Sequence, residues 1–422
     1  MNLDWHRLRA VVLQSDDWGL CAWAADDRAH RALADLPAFR SVPGRRYGRS
    51  TLESAADVRA LADVLADVQG GDALPSVLQA NTIVANPDAS RLVPPEFAAE
   101  SLPLIAHPLQ PARWERPGLW DAVREAGQRG VWWGELHGLH HLPATAWLAA
   151  LRRGEDDARR AFEHASPICA AVESSGEYDA REPRSVRAED LRVAIQHFEA
   201  LFGRRPTSFC PPDYRFDEWF EDEAASQGLT TLQGHAEREG RSFPRLRRWL
   251  AHWRFPQLAG DRFRLPPRIA FEPRGVATAD GAVGISVALS RSRDAWTRGQ
   301  PAILSTHRLN YAHLDPAWSE AGRKALGSLL RGLALEGARF LTDMEVRQLV
   351  ERGWSLRSSG PEAVLRHHGE PHAPLRFALP AGATGVRFAA APADASAMLQ
   401  CVDGTAEARV SVGDYRIRWE RA

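Results

Sequence analysis

Cysteine is scarce in these 422 residues. Only Cys21, Cys169, Cys210 and Cys401 are present, far apart and without a CxxC pair. That spacing argues against both a disulfide framework and a structural zinc built on thiolates. Lysine is nearly absent too, and the arginine that replaces it reads as a coding bias rather than a phosphate-binding signal. Lys plus Arg (53) balances Asp plus Glu (54), for a formal net charge of -1. No excess of one sign is left to recruit nucleic acid or an anionic membrane. No run is long and apolar enough to cross a bilayer, and Met1 to Leu13 lacks the apolar stretch of a signal peptide. The expectation is a cytoplasmic protein with no membrane insertion. Internal repeats and long linkers are also missing.

What is present is an alternation of short apolar runs with amphipathic segments. Ala10–Gln14 stops abruptly at polar residues, as a buried parallel strand does. Val58, Leu61, Leu65 and Val68 fall on one helical face. Further strands are expected at 76–81, 102–106, 130–136, 207–210, 302–305 and 338–341. Helices are expected over 188–202, stopped by Gly203, over 320–335, and from Asp343 onward. This order predicts an α/β barrel or a doubly wound sheet, with functional loops at the carboxyl ends of the strands. After Gly353 the period changes. Leu375, Phe377 and Leu379, then Val410 and Val412, then Tyr415, Ile417 and Trp419, alternate with polar or small residues. The expected division is residues 1–353 as the α/β unit and 354–422 as a small all-β addition.

Three strand ends carry chemistry. Asp16-Asp17 follows the first run, and adjacent carboxylates are costly to hold together unless a cation neutralises them. Taken alone, a DDxG-like stretch is more often a helix-capping turn. His137-Gly138-Leu139-His140-His141 ends the Trp132-Trp133 run. Histidines four apart on a helical turn face the same way and can share one metal, while His140 points elsewhere. His307 ends a late apolar run; a lone histidine is weak evidence, but its place at a third strand end converges on the same mouth. Together these give two imidazoles and one carboxylate for a divalent ion such as zinc, a spare carboxylate to take a proton, and a spare imidazole to give one. That set suits hydrolysis of an acyl bond. Trp18, Trp132, Trp133 and Tyr214 are placed to stack on sugar rings or simply to pack.

In order and spacing these elements resemble the NodB-type polysaccharide deacetylases. The resemblance spans roughly residues 8 to 350. It rests on Asp16-Asp17, the HxxxH of His137 and His141, the stretch from Gly203 through Pro211-Pro212-Asp213-Tyr214, Ile303 to His307, and the ending from Gly337 to Val346. A subgroup associated with surface-polysaccharide synthesis is closer still, through Ser15 to Gly19, Asn81, Asn86-Pro87-Asp88 and His307 to Tyr311. The resemblance implies a distorted (β/α) barrel with Asp16 as general base, His307 as general acid, and Asp17, His137 and His141 as ligands of a divalent metal, zinc by preference. It implies an acetylated glycan or sugar precursor as substrate, met by Trp18, Asn81, Tyr214 and Arg308. Two other readings keep part of the set: a metal-dependent amidase for another small C–N substrate, and an inactive glycan-binding relative. Three positions depart from the family pattern. Trp18 precedes the glycine, Gly138 stands where a hydroxyl residue is usual, and Cys210 replaces the arginine that orients the base. Arg308 is the expected stand-in for that arginine.

Overall fold

The computed structural model describes residues 3–99, 101–172, 176–233, 255–274, 284–390, 397–402 and 404–421. The first strand, Ala10–Trp18, is the axis of a parallel sheet. It pairs with Ala302–His307 on one side, and with Leu78–Ile83 and Arg339–Leu341 on the other. Leu78–Ile83 pairs with Trp132–Gly138, and Ala302–His307 with Ile269–Ala270. Beyond Trp132–Gly138 the sheet continues through single parallel bridges of Phe209 to Leu136 and to Leu232, then through Thr231–Leu232 to Arg262–Arg264. Among the described residues no ladder joins the two ends. The described residues thus show the parallel sheet of the expected distorted barrel without closing it.

Two expected strands take another form. Residues 207–210 contribute isolated bridges instead of a ladder, because Pro206, Pro211 and Pro212 withhold amide donors at both ends. Leu104–Ala106 lies off the sheet, antiparallel to Ala85–Pro87. The helices follow their apolar stripes. Ala55–Ala66 buries Val58, Leu61 and Leu65 and opens with a capping box between Ser54 and Asp57. Arg184–Phe202 ends at Gly203 in the left-handed conformation.

From Trp354 the chain forms two antiparallel sheets. One orders Trp354–Ser359, Glu362–His367, Gly413–Arg421 and Ala383–Ala390; the other orders Leu375–Ala378, Thr405–Val410 and Ala397–Val402. Their inward residues, among them Trp354, Leu365, Phe377, Val410 and Ile417, make an apolar cluster of their own. A buried ionic knot ties this sandwich to the last helix, Asp343–Arg352. Arg366, fully buried, binds Asp72, Glu345 at 3.1 Å and Asp414 at 3.1 Å, and Arg357 reaches Glu345 at 3.1 Å. Removing one partner of a buried ion pair strands the others, at a cost of about 3–5 kcal/mol. Arg366→Met is expected to destabilise the protein by that amount in urea unfolding. A loss below about 1 kcal/mol would mean that water solvates the knot.

Candidate functional site

Alternate residues of a strand face opposite sides, so consecutive aspartates share a cleft only where that alternation breaks. It breaks here. The register with Leu78–Ile83 slips between Ser15 and Trp18, and Asp17 takes a left-handed φ of 74°. Both Asp16 and Asp17 then line one cavity of about 390 Å³ at the carboxyl ends of the strands, together with His137, His141, Tyr214 and His307. Gly19 completes the bend at φ 79°, where a Cβ would stand 2.5 Å from the Ile83 carbonyl oxygen. Glu53 anchors the turn by accepting from the Gly19 amide at 3.0 Å.

The helical turn expected for His137 to His141 does not form. His137 is the next-to-last residue of its strand, and His141 lies in the following bend at φ 56°. The left-handed residue, not a helix, brings the two rings to the same carboxylate. His137 Nε2 stands 3.4 Å and His141 Nε2 3.8 Å from Asp17 Oδ1. Ligands about 2.1 Å from a tetrahedral ion are ~3.4 Å from one another, so the donor set fits a divalent metal. The tautomer fits as well: His137 Nδ1 donates to the Cys210 carbonyl at 2.7 Å, leaving the Nε2 lone pair toward Asp17. Gly138 is required because Glu177 Oε1, which accepts from the Leu139 amide at 2.8 Å, would stand 2.2 Å from a Cβ there. Asp16, His137 and Cys210 form a second possible ligand group. Asp16, however, is already committed elsewhere.

That commitment is to Arg268. Its Nη1 and Nη2 each donate to one Asp16 oxygen at 2.8 Å, and Asn81 Nδ2 donates at 2.6 Å. Burial opposes ionisation of Asp16, but the Arg268 charge and its hydrogen bonds prevail and hold the carboxyl below the usual range. Arg268, not Arg308, supplies the cation missing at position 210. Cys210 Sγ packs 3.6 Å from Arg268 Nη1 and 4.0 Å from Asp16, so the thiol fills the space beside the guanidinium. Across the cleft, His307 Nδ1 bonds Glu272 at 2.5 Å, and Glu272 also accepts from Asn310 at 2.8 Å and meets Arg46 at 3.3 Å. Burial lowers the His307 pKa, but Glu272 more than offsets it, so the pKa is raised. His307 Nε2 lies 3.9 Å from Asp16 Oδ2.

Of the expected substrate contacts, Tyr214 lines the cavity, with its hydroxyl accepting from Arg268. Three others are corrected. Trp18 is buried edge-on against Trp132, with centroids 4.6 Å apart, because the bulge turns it into the core. Arg308 is buried against Glu53 at 3.0 Å and the Leu20 carbonyl at 2.8 Å, bracing the turn after the aspartates. Asn81 is fully buried and spent on Asp16 and Gln233. Arg268 and Glu272 escaped the sequence reading. Glu272 carried a usable signal, a carboxylate directly after the short apolar run Ile269-Ala270-Phe271. Arg268 follows two prolines and has no pattern of its own.

The geometry predicts one divalent ion per chain on Asp17, His137 and His141. His137→Ala and His141→Ala should each abolish tight zinc uptake measured by elemental analysis, while Cys210→Ser should retain it. Loss in the Cys210 variant would move the ion to the Asp16 group.

No protein-family model matches the chain, and no curated protein sequence matches it. Solved structures similar to it include a putative polysaccharide deacetylase from Mycobacterium smegmatis, at 14% identity and TM-score 0.38, covering 81% of this chain and 88% of that one. The carbohydrate deacetylase Agd3 overlaps at 10% identity and TM-score 0.42, over 98% of this chain and 66% of its own. An α-fucosidase from Thermotoga maritima overlaps at 13% identity and TM-score 0.31, over 99% and 97%. Overlaps this loose span a deacetylase and a glycosidase alike, so the chemistry rests on the residues of the cleft.

Proposed function

We propose that this chain is a metal-dependent hydrolase of the NodB type that removes acetyl groups from an N- or O-acetylated sugar in a polysaccharide or its precursor. One observation carries the reading. A two-histidine, one-carboxylate donor set shares a cleft with an arginine-clamped carboxylate and a glutamate-paired histidine. A metal on Asp17, His137 and His141 would polarise the acetyl carbonyl and acidify water. Asp16, kept ionised by Arg268, accepts a proton from the water that attacks the acetyl carbon. His307, kept protonated by Glu272, gives its proton to the departing amine or alcohol as the C–N or C–O bond breaks. Acetate and the free sugar group are the products. Tyr214 and Arg46 border the space a sugar would fill. Residues 354–422 act in this reading as an accessory β-domain away from the reacting atoms.

The test is zinc analysis beside acetate release from acetylated oligosaccharides. Asp16→Asn and His307→Ala should each lower turnover by about a hundredfold or more and keep the metal. Because the His307 pKa is raised, its proton and the activity persist below the ordinary imidazole value and are lost as pH rises through the raised one. The alkaline midpoint should therefore lie above about 6.5, and Glu272→Gln should move it down. Full activity in His307→Ala would hand the acid role to another group. Metal uptake without acetate release on any sugar would defeat the reading.

A further inference from the structure

Parallel sheets of this kind usually fill their interior with branched apolar side chains. Here one interior column is polar. Deepest lies Asp343, fully buried at the start of the last helix. Gln14 Nε2 donates to its Oδ1 at 2.8 Å, and Gln79 Nε2 and Ser208 Oγ donate to its Oδ2 at 2.5 and 2.7 Å. Toward the cleft, Asn81 and Gln233 form a reciprocal amide pair, each N–H to the other's oxygen at 2.8 Å. Gln233 Nε2 also reaches Ser208 Oγ at 3.1 Å, and Asn81 Nδ2 reaches Asp16 Oδ1 at 2.6 Å. A buried chain thus runs from Asp343 through Ser208, Gln233 and Asn81 to Asp16.

Counting donors fixes its direction. An ionised Asp343 can only accept, so Ser208 spends its hydrogen there and must accept from Gln233. Gln233 spends its second N–H on Asn81, whose own second N–H is then left for Asp16. Two carboxylates terminate the chain, and the amide pair between them donates outward at both ends. We propose that Asp343 is a positioning residue for Asp16, acting through Ser208, Gln233 and Asn81 to keep an N–H of Asn81 aimed at the Asp16 carboxylate. The proposal rests on Asp16 being the general base. The same chain can also run in reverse. A protonated Asp343 can donate to Ser208, and where Ser208 then turns its hydrogen to Gln233 both amides flip. Asn81 would then face Asp16 with oxygen, and the base would lose a donor and gain a repulsion. Burial pushes the Asp343 carboxyl up to about 6, with Gln79, Ser208 and Gln14 opposing and Glu135, from the Trp132–Gly138 strand, adding to the rise. The reversal therefore falls within the working range of a hydrolase.

The experiment follows the side-chain amide ¹⁵N–¹H signals of Asn81 and Gln233 in the full-length protein between about pH 5 and 8, beside the pH profile of kcat. In the parent these signals should move with a midpoint near the Asp343 pKa, and kcat should fall on the acid side of it. Asp343→Asn, which places a donor at the foot of the chain, should leave the signals flat with pH and lower kcat roughly tenfold, with KM and metal content unchanged. Amide signals that stay fixed with pH in the parent overturn the coupling, and so does parental kcat with an unaltered profile in the variant. If Asp343→Asn does not fold, the titration of the parent decides alone. If the parent hydrolyses no acetylated sugar, the function proposed above fails, while the amide titration still decides whether Asp343 governs Asn81.

Discussion

Everything in the cleft leans on the paired hydrogen bonds between Arg268 and Asp16. A carboxylate as deeply buried as Asp16 would take up a proton unless a cation faced it. With both guanidinium nitrogens on it, the carboxyl stays ionised, and the fork fixes its plane. Placement of the remaining groups follows. Arg268 also holds the Tyr214 hydroxyl and packs on Cys210 Sγ, whose own carbonyl selects the His137 tautomer. One arginine therefore touches Asp16 directly and His137 at one remove, through Cys210. A larger side chain at 210 would compete for the volume that the guanidinium now fills.

The cleft is also divided by charge. Among the described residues Asp17 is met by the imidazoles of His137 and His141, which suits it to a metal. Asp16 has a guanidinium and an amide, which suits it to proton transfer. Adjacent in sequence, the two aspartates differ in chemistry because their partners come from different segments of the chain. Glu272 performs the matching service for His307, itself held by Asn310 and Arg46.

How much of this could be read from the chain depends on whether a residue's signal was local. The first strand, the Arg184–Phe202 helix and the alternating run after Trp354 were legible because periodicity and caps lie within a few residues of one another. Asp16, Asp17, His137 and His307 stood out because they follow apolar runs and His141 because it lies four residues from His137, and the structure gathers all five at one mouth. Arg268 did not stand out: its importance lies in a carboxylate 252 positions away, and nothing beside it marks that contact. Arg308 misled for the complementary reason. It sits one residue from His307, yet the chain turns there and sends it to Glu53. The helical geometry assumed for His137 to His141 failed similarly, since spacing of four fits a helix and a left-handed bend equally well.

The positive φ angles at Asp17 and His141 have a consequence for how such a centre is loaded. Left-handed backbone at residues other than glycine costs of the order of 1–3 kcal/mol and persists only where the surroundings enforce it. Here the enforcement comes from the strand bulge, the Gly19 turn and its Glu53 anchor, and the Glu177 brace at Gly138, none of which involves an ion. The strain is carried by the fold, so the protein's own contacts hold these side chains in place. Such a centre differs from a zinc finger, whose ligands collapse into order only as the ion arrives and whose folding is the binding reaction. An ion bound by Asp17, His137 and His141 would add to a scaffold already folded, so a chelator is expected to leave the fold standing.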